Sequence, residues 1–298
     1  MTRHRVGLLP YWLVAPTILI VTAFIIYPVY ETFRLSLTNT NLILAARIPP
    51  KYVGLATYGI ALQDPLLPLV LKNTVTWVFA GTLMTVLIGV AIGYYLSFDW
   101  KINRLLRAGL LIPWIIPSVV IAAAWKWMYN DQLGVINDAL MRLGIIHQGI
   151  PFLGLPNVVI YPLTFVVAWR AAPLTAIVVS AAIQGVPTTL LEAATIDGAN
   201  GWQKFRYIIL PFLAFLLTVI TLLTMIGITN DLVFVYTMTL GGPAHASEIM
   251  ATYIYEVGFN NWRFGQSAAL SVLNFIFLLI LSLGYLFLFR KTWQRQDA

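Results

Sequence analysis

Residues 192–211 read Glu-Ala-Ala-Thr-Ile-Asp-Gly-Ala-Asn-Gly-Trp-Gln-Lys-Phe-Arg-Tyr-Ile-Ile-Leu-Pro. The stretch holds Glu192, Asp197, Lys204 and Arg206 in a chain that is 60% hydrophobic and only 10% charged, and it separates two long apolar runs. Soluble domains have roughly 25% charged residues, and a mean hydropathy of +0.84 places most of this chain in lipid. The polar stretch therefore reads as a connection on one side of a membrane, built to meet something soluble.

Working outward from it, a hydrocarbon core about 30 Å thick takes roughly 20 apolar residues as helix. Six segments of the 298 residues have that length, at about 8–30, 70–97, 108–128, 157–184, 207–230 and 268–289. Their apolar runs are continuous, whereas membrane β-strands alternate over about ten residues. The expected fold is all-α: a polytopic membrane protein of six transmembrane helices in a single domain over 1–298. Arg3 and Arg5 precede a first run that ends at Tyr27-Pro28-Val29-Tyr30 without a small-residue cleavage site, so that run reads as a retained helix and not a signal peptide. The chain has no cysteine, and His4, His147 and His245 are too dispersed to suggest metal ligands.

Charge sets the expected orientation. With both termini in the cytoplasm, ten of the eighteen basic residues fall on short inner segments: Arg3, Arg5, Lys101, Arg104, Arg107, Lys204, Arg206, Arg290, Lys291 and Arg295. Seven lie on longer outer loops, and the inner acids are Asp99, Glu192, Asp197 and Asp297. Lys and Arg density near span ends decides topology, so the basic balance needs no nucleic acid to explain it.

In the central loop, Gly185, Pro187 and Thr188 end the fourth span, and Thr189-x-x-Glu192 has the spacing of a capping box. A short helix over about 189–197 is expected to stop at Gly198, with a second starting at Asn200 and running through Pro211 into the fifth span. Capping alone accounts for Glu192 but not for Ala193, Ala194 and Gly198 beside it in a loop that lipid does not cover. Small side chains let another protein's backbone approach, and a carboxylate offers a directional contact to an arginine. No Gly-x-x-x-x-Gly-Lys-Ser/Thr loop occurs, so ATP would be handled by another subunit.

The spacing Glu192-Ala193-Ala194, three residues, Gly198, nine residues, Ile208, one residue, Leu210-Pro211 resembles the EAA loop of permease subunits in binding-protein-dependent ABC importers. The likeness extends through Leu9-Pro10-Tyr11, Leu35-Ser36-Leu37-Thr38, Val53-Gly54-Leu55-x-x-Tyr58, Asn73-Thr74, Pro113 and Pro117, Thr239-Leu240-Gly241-Gly242-Pro243 and Phe264-Gly265-x-x-Ala268-Ala269, as in sugar-type permeases of the MalF/UgpA kind. The resemblance implies the type I importer permease fold in a bacterial or archaeal plasma membrane, with 185–211 as the coupling loop and Glu192, Ala193, Ala194, Asp197 and Gly198 as its ATPase contacts. It implies as partners a second, MalG/UgpE-like permease, two ATPase subunits that bind ATP and Mg, and an extracytoplasmic solute-binding protein. The chain itself would hold no cofactor. Its cargo would be a sugar, oligosaccharide or polyol phosphate, moved by alternating access.

In such importers substrate contacts fall on the spans flanking the loop, here Trp169, Arg170 and Thr175 before it and Thr224, Asn230 and Asp231 after it. Arg170 lies fourteen residues before Gln184, about 21 Å along a helix, where a cation needs a cavity or a partner. Gly89-x-x-x-Gly93 fits close helix packing, and Trp12, Trp77, Trp100 and Trp262 fit interfacial anchors. An ion-coupled secondary carrier using Arg170 and Asp231 predicts paired internal repeats, of which none is clear. A membrane-embedded enzyme would need a nucleophile, a metal cluster or paired acids within reach.

Overall fold

The computed structural model describes residues 9–44, 49–98 and 100–294, with helices as the only extended secondary structure among them. Arg3, Arg5, Asp99, Arg295 and Asp297 lie outside the described residues, as do the side chains of Arg104, Arg290 and Lys291. Among the described residues five helices are long and apolar enough to cross a membrane: α1 (Trp12–Ser36), α3 (Leu67–Leu96), α7 (Ile160–Ile183), a span over Ala214–Thr239 and α13, whose apolar part is Phe264–Phe289. A short α2 covers Ala56–Leu62.

The third expected span is not one helix. It is a pair, α4 (Leu105–Ile115) and α5 (Ser118–Met128), bent by 95°. Pro117 is the cause: it disfavours helical geometry in the residue before it, and Ile116 takes ψ 135°. The fifth is longer than expected and interrupted: α10 (Ala214–Asn230) breaks at Asp231 and resumes as α11 (Val233–Thr239), because the Asp231 carboxylate accepts the Val233 N–H at 2.9 Å. The outer stretches also hold α6 (Val135–Arg142) and α12 (Met250–Tyr255).

The chain forms two compact units. One contains the described residues up to 67 together with 254–276, the other 68–253 and those from 277 onward. Within the first, Leu35-Ser36-Leu37-Thr38 and Val53-x-x-x-x-Tyr58 form a single stitched corner. Ser36 Oγ meets Tyr58 Oη at 2.7 Å, Val53 N–H donates to the Leu37 carbonyl at 2.8 Å, and Thr38 pairs with Tyr52 in an isolated antiparallel bridge.

The second unit has its core on the inner face of α7, where Leu163 and Val166 are fully buried against Trp77, Val78, Phe234 and Val235. Trp77 is thus not an interfacial anchor. It is completely buried, and its indole N–H donates to the Ile228 carbonyl at 2.9 Å, near the break where α10 carbonyls lack helical partners. Trp12, Trp100 and Trp262 remain exposed. Asn73 donates to the Glu248 carbonyl at 3.0 Å and Thr74 accepts the Met250 N–H at 2.8 Å, which ties the start of α3 to the segment after Gly241-Gly242-Pro243.

Helix α3 lies against α7 at Gly89 and Gly93. A Cβ on Gly89 would stand 2.5 Å from Thr175 Cγ2, and one on Gly93 2.7 Å from the Ala176 carbonyl oxygen. Backbone cannot yield as a side-chain tip does, so Gly93→Leu should destabilise the folded chain by about 1 to 3 kcal/mol or more. Thermal unfolding in detergent reads this as a lowered Tm, while Gly109→Ala, with open space around it, should leave Tm nearly unchanged.

Candidate functional site

Residues 188–212 fold as a bent helical hairpin. Pro187, with ψ 124°, precedes α8 (Thr188–Ile196), so Thr189 is already inside the helix and the expected Thr189/Glu192 capping box does not form. The box forms instead at the second arm: Asn200 accepts the Gln203 N–H at 2.9 Å, and Gln203 accepts the Asn200 N–H at 2.7 Å. Between the arms, Gly198 has φ +80°, a conformation glycine adopts at little cost. The Ala199 N–H reaches back to the Ala194 carbonyl at 2.8 Å and the Gly198 N–H to Thr195 at 3.1 Å, closing the helix end as a Schellman motif. Lys204 Nζ donates to Thr195 Oγ1 at 2.9 Å across the bend.

The second arm begins as α9 (Gly201–Lys204) and continues through a widened turn, Phe205–Ile209, in which the Leu210 N–H donates five residues back to Phe205. Such a turn accommodates Pro211, which has no N–H and whose ring crowds the preceding turn. The Phe205 ring sits 4.9 Å from that of Tyr94 near the end of α3, fixing the hairpin to one end of this unit.

Glu192, Ala193, Asp197 and Gly198 are all exposed, and Ala194 is partly covered. Beside them stand apolar side chains that the sequence reading passed over: Ile196 is 88% exposed, Trp202 69% and Tyr207 73%. Aromatic anchors of this kind dominate protein interfaces, and the signal was a tryptophan and a tyrosine within a polar loop. The hairpin thus presents a carboxylate, small residues and an apolar patch on one connection.

The helices on either side of the hairpin enclose a cavity of about 480 Å³. One wall is the stripe Val167, Arg170, Ala171, Leu174, Thr175 and Val178 on α7; the other runs from Leu216 to Asp231 on α10, and Trp114 of α4 closes a side. Both stripes follow the three-and-four spacing of one helical face. Arg170 and Asp231 fall at the end away from the hairpin, and aliphatic side chains fill the nearer end. Arg170 Nε is buried with no hydrogen-bond partner among the described residues.

Of the six residues expected on this path, four line the cavity: Arg170, Thr175, Thr224 and Asp231. Trp169 turns the other way, its ring 5.4 Å from Trp125. Asn230 is exposed, and its amide donates to the Ile226 carbonyl of its own helix at 2.9 Å. Trp114 was not anticipated, because the bend at Ile116-Pro117 that brings it here does not register in hydropathy. Among the described residues no cluster of His, Cys, Asp or Glu is arranged to hold a metal.

A polytopic helical membrane protein with a polar hairpin between two cavity-lining spans has the parts expected of a membrane transport subunit. Residues 71–294 match the family described as binding-protein-dependent transport system inner membrane component, and the chain belongs to that family. It is 30% identical over 285 residues to the trehalose/maltose transport system permease protein MalF of Thermococcus litoralis, covering 95% of this chain and 94% of that one. The diacetylchitobiose uptake system permease protein DasB of Streptomyces coelicolor is also 30% identical, over 283 residues, with 94% and 86% covered. In fold the chain is similar to a subunit of a crystallised bacterial ABC transporter involved in the import of the acidic polysaccharide alginate, with a TM-score of 0.79 over 95% of each chain at 22% identity.

Proposed function

We propose that the chain is the transmembrane permease of an ATP-driven importer for a sugar, oligosaccharide or related polyol phosphate. It works with a second, MalG/UgpE-like permease, two ATPase subunits holding ATP and Mg, and an extracytoplasmic solute-binding protein. The single transmembrane domain spans 1–298, with 185–211 as its coupling loop. The observation that carries the reading is continuity: the hairpin with Glu192, Ile196 and Trp202 is joined directly to the two helices whose facing stripes enclose the cavity. Movement of an ATPase bound at the hairpin would tilt α7 and α10 together and change which end of the cavity is open.

Arg170, Asp231, Thr175 and Thr224 are the polar groups available to cargo in that cavity. A sugar offers both donors and acceptors, which suits a cation, a carboxylate and two hydroxyls set in an otherwise apolar wall. Carbohydrate cargo is supported by the names of the relatives, which transport trehalose, maltose and diacetylchitobiose.

In proteoliposomes of the reconstituted importer, uptake should require both ATP and the receptor and should persist when ion gradients are collapsed. Uptake driven by a gradient without ATPases would instead favour a secondary carrier. The proposed orientation has the hairpin and both termini in the cytoplasm. Since the native chain has no cysteine, single cysteines at Tyr52, Gly201 and Gln294 test it with an impermeant thiol reagent added to intact cells. Tyr52, 75% exposed, should be labelled and the other two protected; labelling of Gly201 from outside would reverse the topology.

A further inference from the structure

Helix α10 has a second lined face. Opposite the stripe that bounds the Arg170 cavity, Leu217 and its neighbours form one wall of another cavity of about 780 Å³, completed by Phe79, Leu83 and Val86 of α3 and by Tyr285 and Phe289 of α13. Most of this lining is apolar or aromatic. Three threonines line it, Thr82, Thr218 and Thr221; Thr218 spends its hydroxyl on the Ala214 carbonyl at 2.8 Å, and the Thr82 hydroxyl oxygen is buried with no hydrogen-bond partner among the described residues. Among the described residues no carboxylate or amide side chain lines it to orient a sugar.

One end differs. Arg206, at the hairpin end, lines the cavity. It is exposed, its guanidinium carbon lies 6.0 Å from the centre of the Tyr207 ring, and among the described residues no carboxylate forms an ion pair with it. In sequence, α13 continues beyond Phe289 into Arg290 and Lys291. An apolar cleft between membrane helices with a cationic group at one end matches a molecule that is hydrocarbon along its length and anionic at its head. Basic pockets of this sort on the cytoplasmic side of helix bundles receive anionic lipid headgroups.

We propose that this cleft is a binding site for an anionic phospholipid of the inner leaflet, its acyl chains along α3, α10 and α13 and its phosphate on Arg206. Placement in the inner leaflet rests on the cytoplasmic hairpin proposed above. Since α10 separates this cleft from the transport cavity, a bound lipid braces the helix from behind.

The test uses the whole importer in nanodiscs, with a fluorophore on a single cysteine replacing Leu83 and, as control, on one replacing Ile280, which is 66% exposed. Brominated phosphatidylglycerol and brominated phosphatidylcholine serve as quenchers at equal mole fraction. At Leu83 phosphatidylglycerol should act at about fivefold lower mole fraction, while at Ile280 the two lipids should act alike. Arg206→Gln should abolish the preference and Arg206→Lys should keep it. Equal quenching by both lipids at Leu83 would overturn the proposal, and so would quenching by neither, which would place a helix of the companion permease in the cleft. A reversed topology is read separately, by thiol labelling of Gly201, so failure of the orientation and failure of the lipid site are distinguishable.

Discussion

Glu192→Ala should lower recovery of the ATPase with the purified complex, and substrate-stimulated hydrolysis with it, by roughly 30-fold or more, the loss expected when one partner of a desolvated charge pair is removed, about 2 to 5 kcal/mol. The side chain is exposed in this chain and caps nothing, so its removal should not disturb the membrane bundle. Gly198→Leu should have a comparable effect by another route, because φ +80° strains a branched residue and opens the bend between the hairpin arms. Size-exclusion chromatography of the isolated subunit should be unchanged for Glu192→Ala. Normal complex recovery and normal hydrolysis in both variants would remove the hairpin from any coupling role.

Arg170→Ala is the second large effect. It leaves Asp231 as the only ionisable group lining the cavity among the described residues, and a carboxylate without compensation in a low-dielectric wall is costly. Uptake should fall about tenfold or more, with basal ATP hydrolysis and receptor binding retained. If the two charges act on each other, Arg170→Ala combined with Asp231→Ala should be less damaging than the sum of the single changes, by about 0.5 to 3 kcal/mol in a double-mutant cycle. Strict additivity would separate them into independent roles. Asn230→Ala, whose amide bonds only to its own helix, should have little effect on uptake beside Arg170→Ala.

What could be read from residues alone follows from which signals are local. Gly198 ends a helix because left-handed geometry favours glycine in any context, and that expectation holds. The capping box was expected at Thr189 in the first arm and forms eleven residues later, at Asn200 in the second, since both fit the pattern and only Pro187, by setting where α8 begins, separates them. The break at Ile116 was signalled by Pro117 but lost in a hydropathy sum, which is blind to ψ. Trp77 looks like any membrane tryptophan until Ile228 supplies its acceptor, a contact between residues 151 apart. Arg170 could be named from sequence as a charge within a span and Asp231 as a candidate on the same path; that Thr175 and Thr224 share their cavity while Trp169 faces Trp125 depends on helix rotation, which packing sets.

The central claim is that the hairpin transmits ATPase movement to the cavity, and cross-linking tests it most directly. A cysteine in place of Ile196, 88% exposed in a chain with no other thiol, should form a covalent adduct with the ATPase subunit when the purified importer is treated with a short bifunctional reagent, and the yield should change on ATP binding. An adduct with the solute-binding protein, or none with the ATPase in an intact complex, would contradict the account.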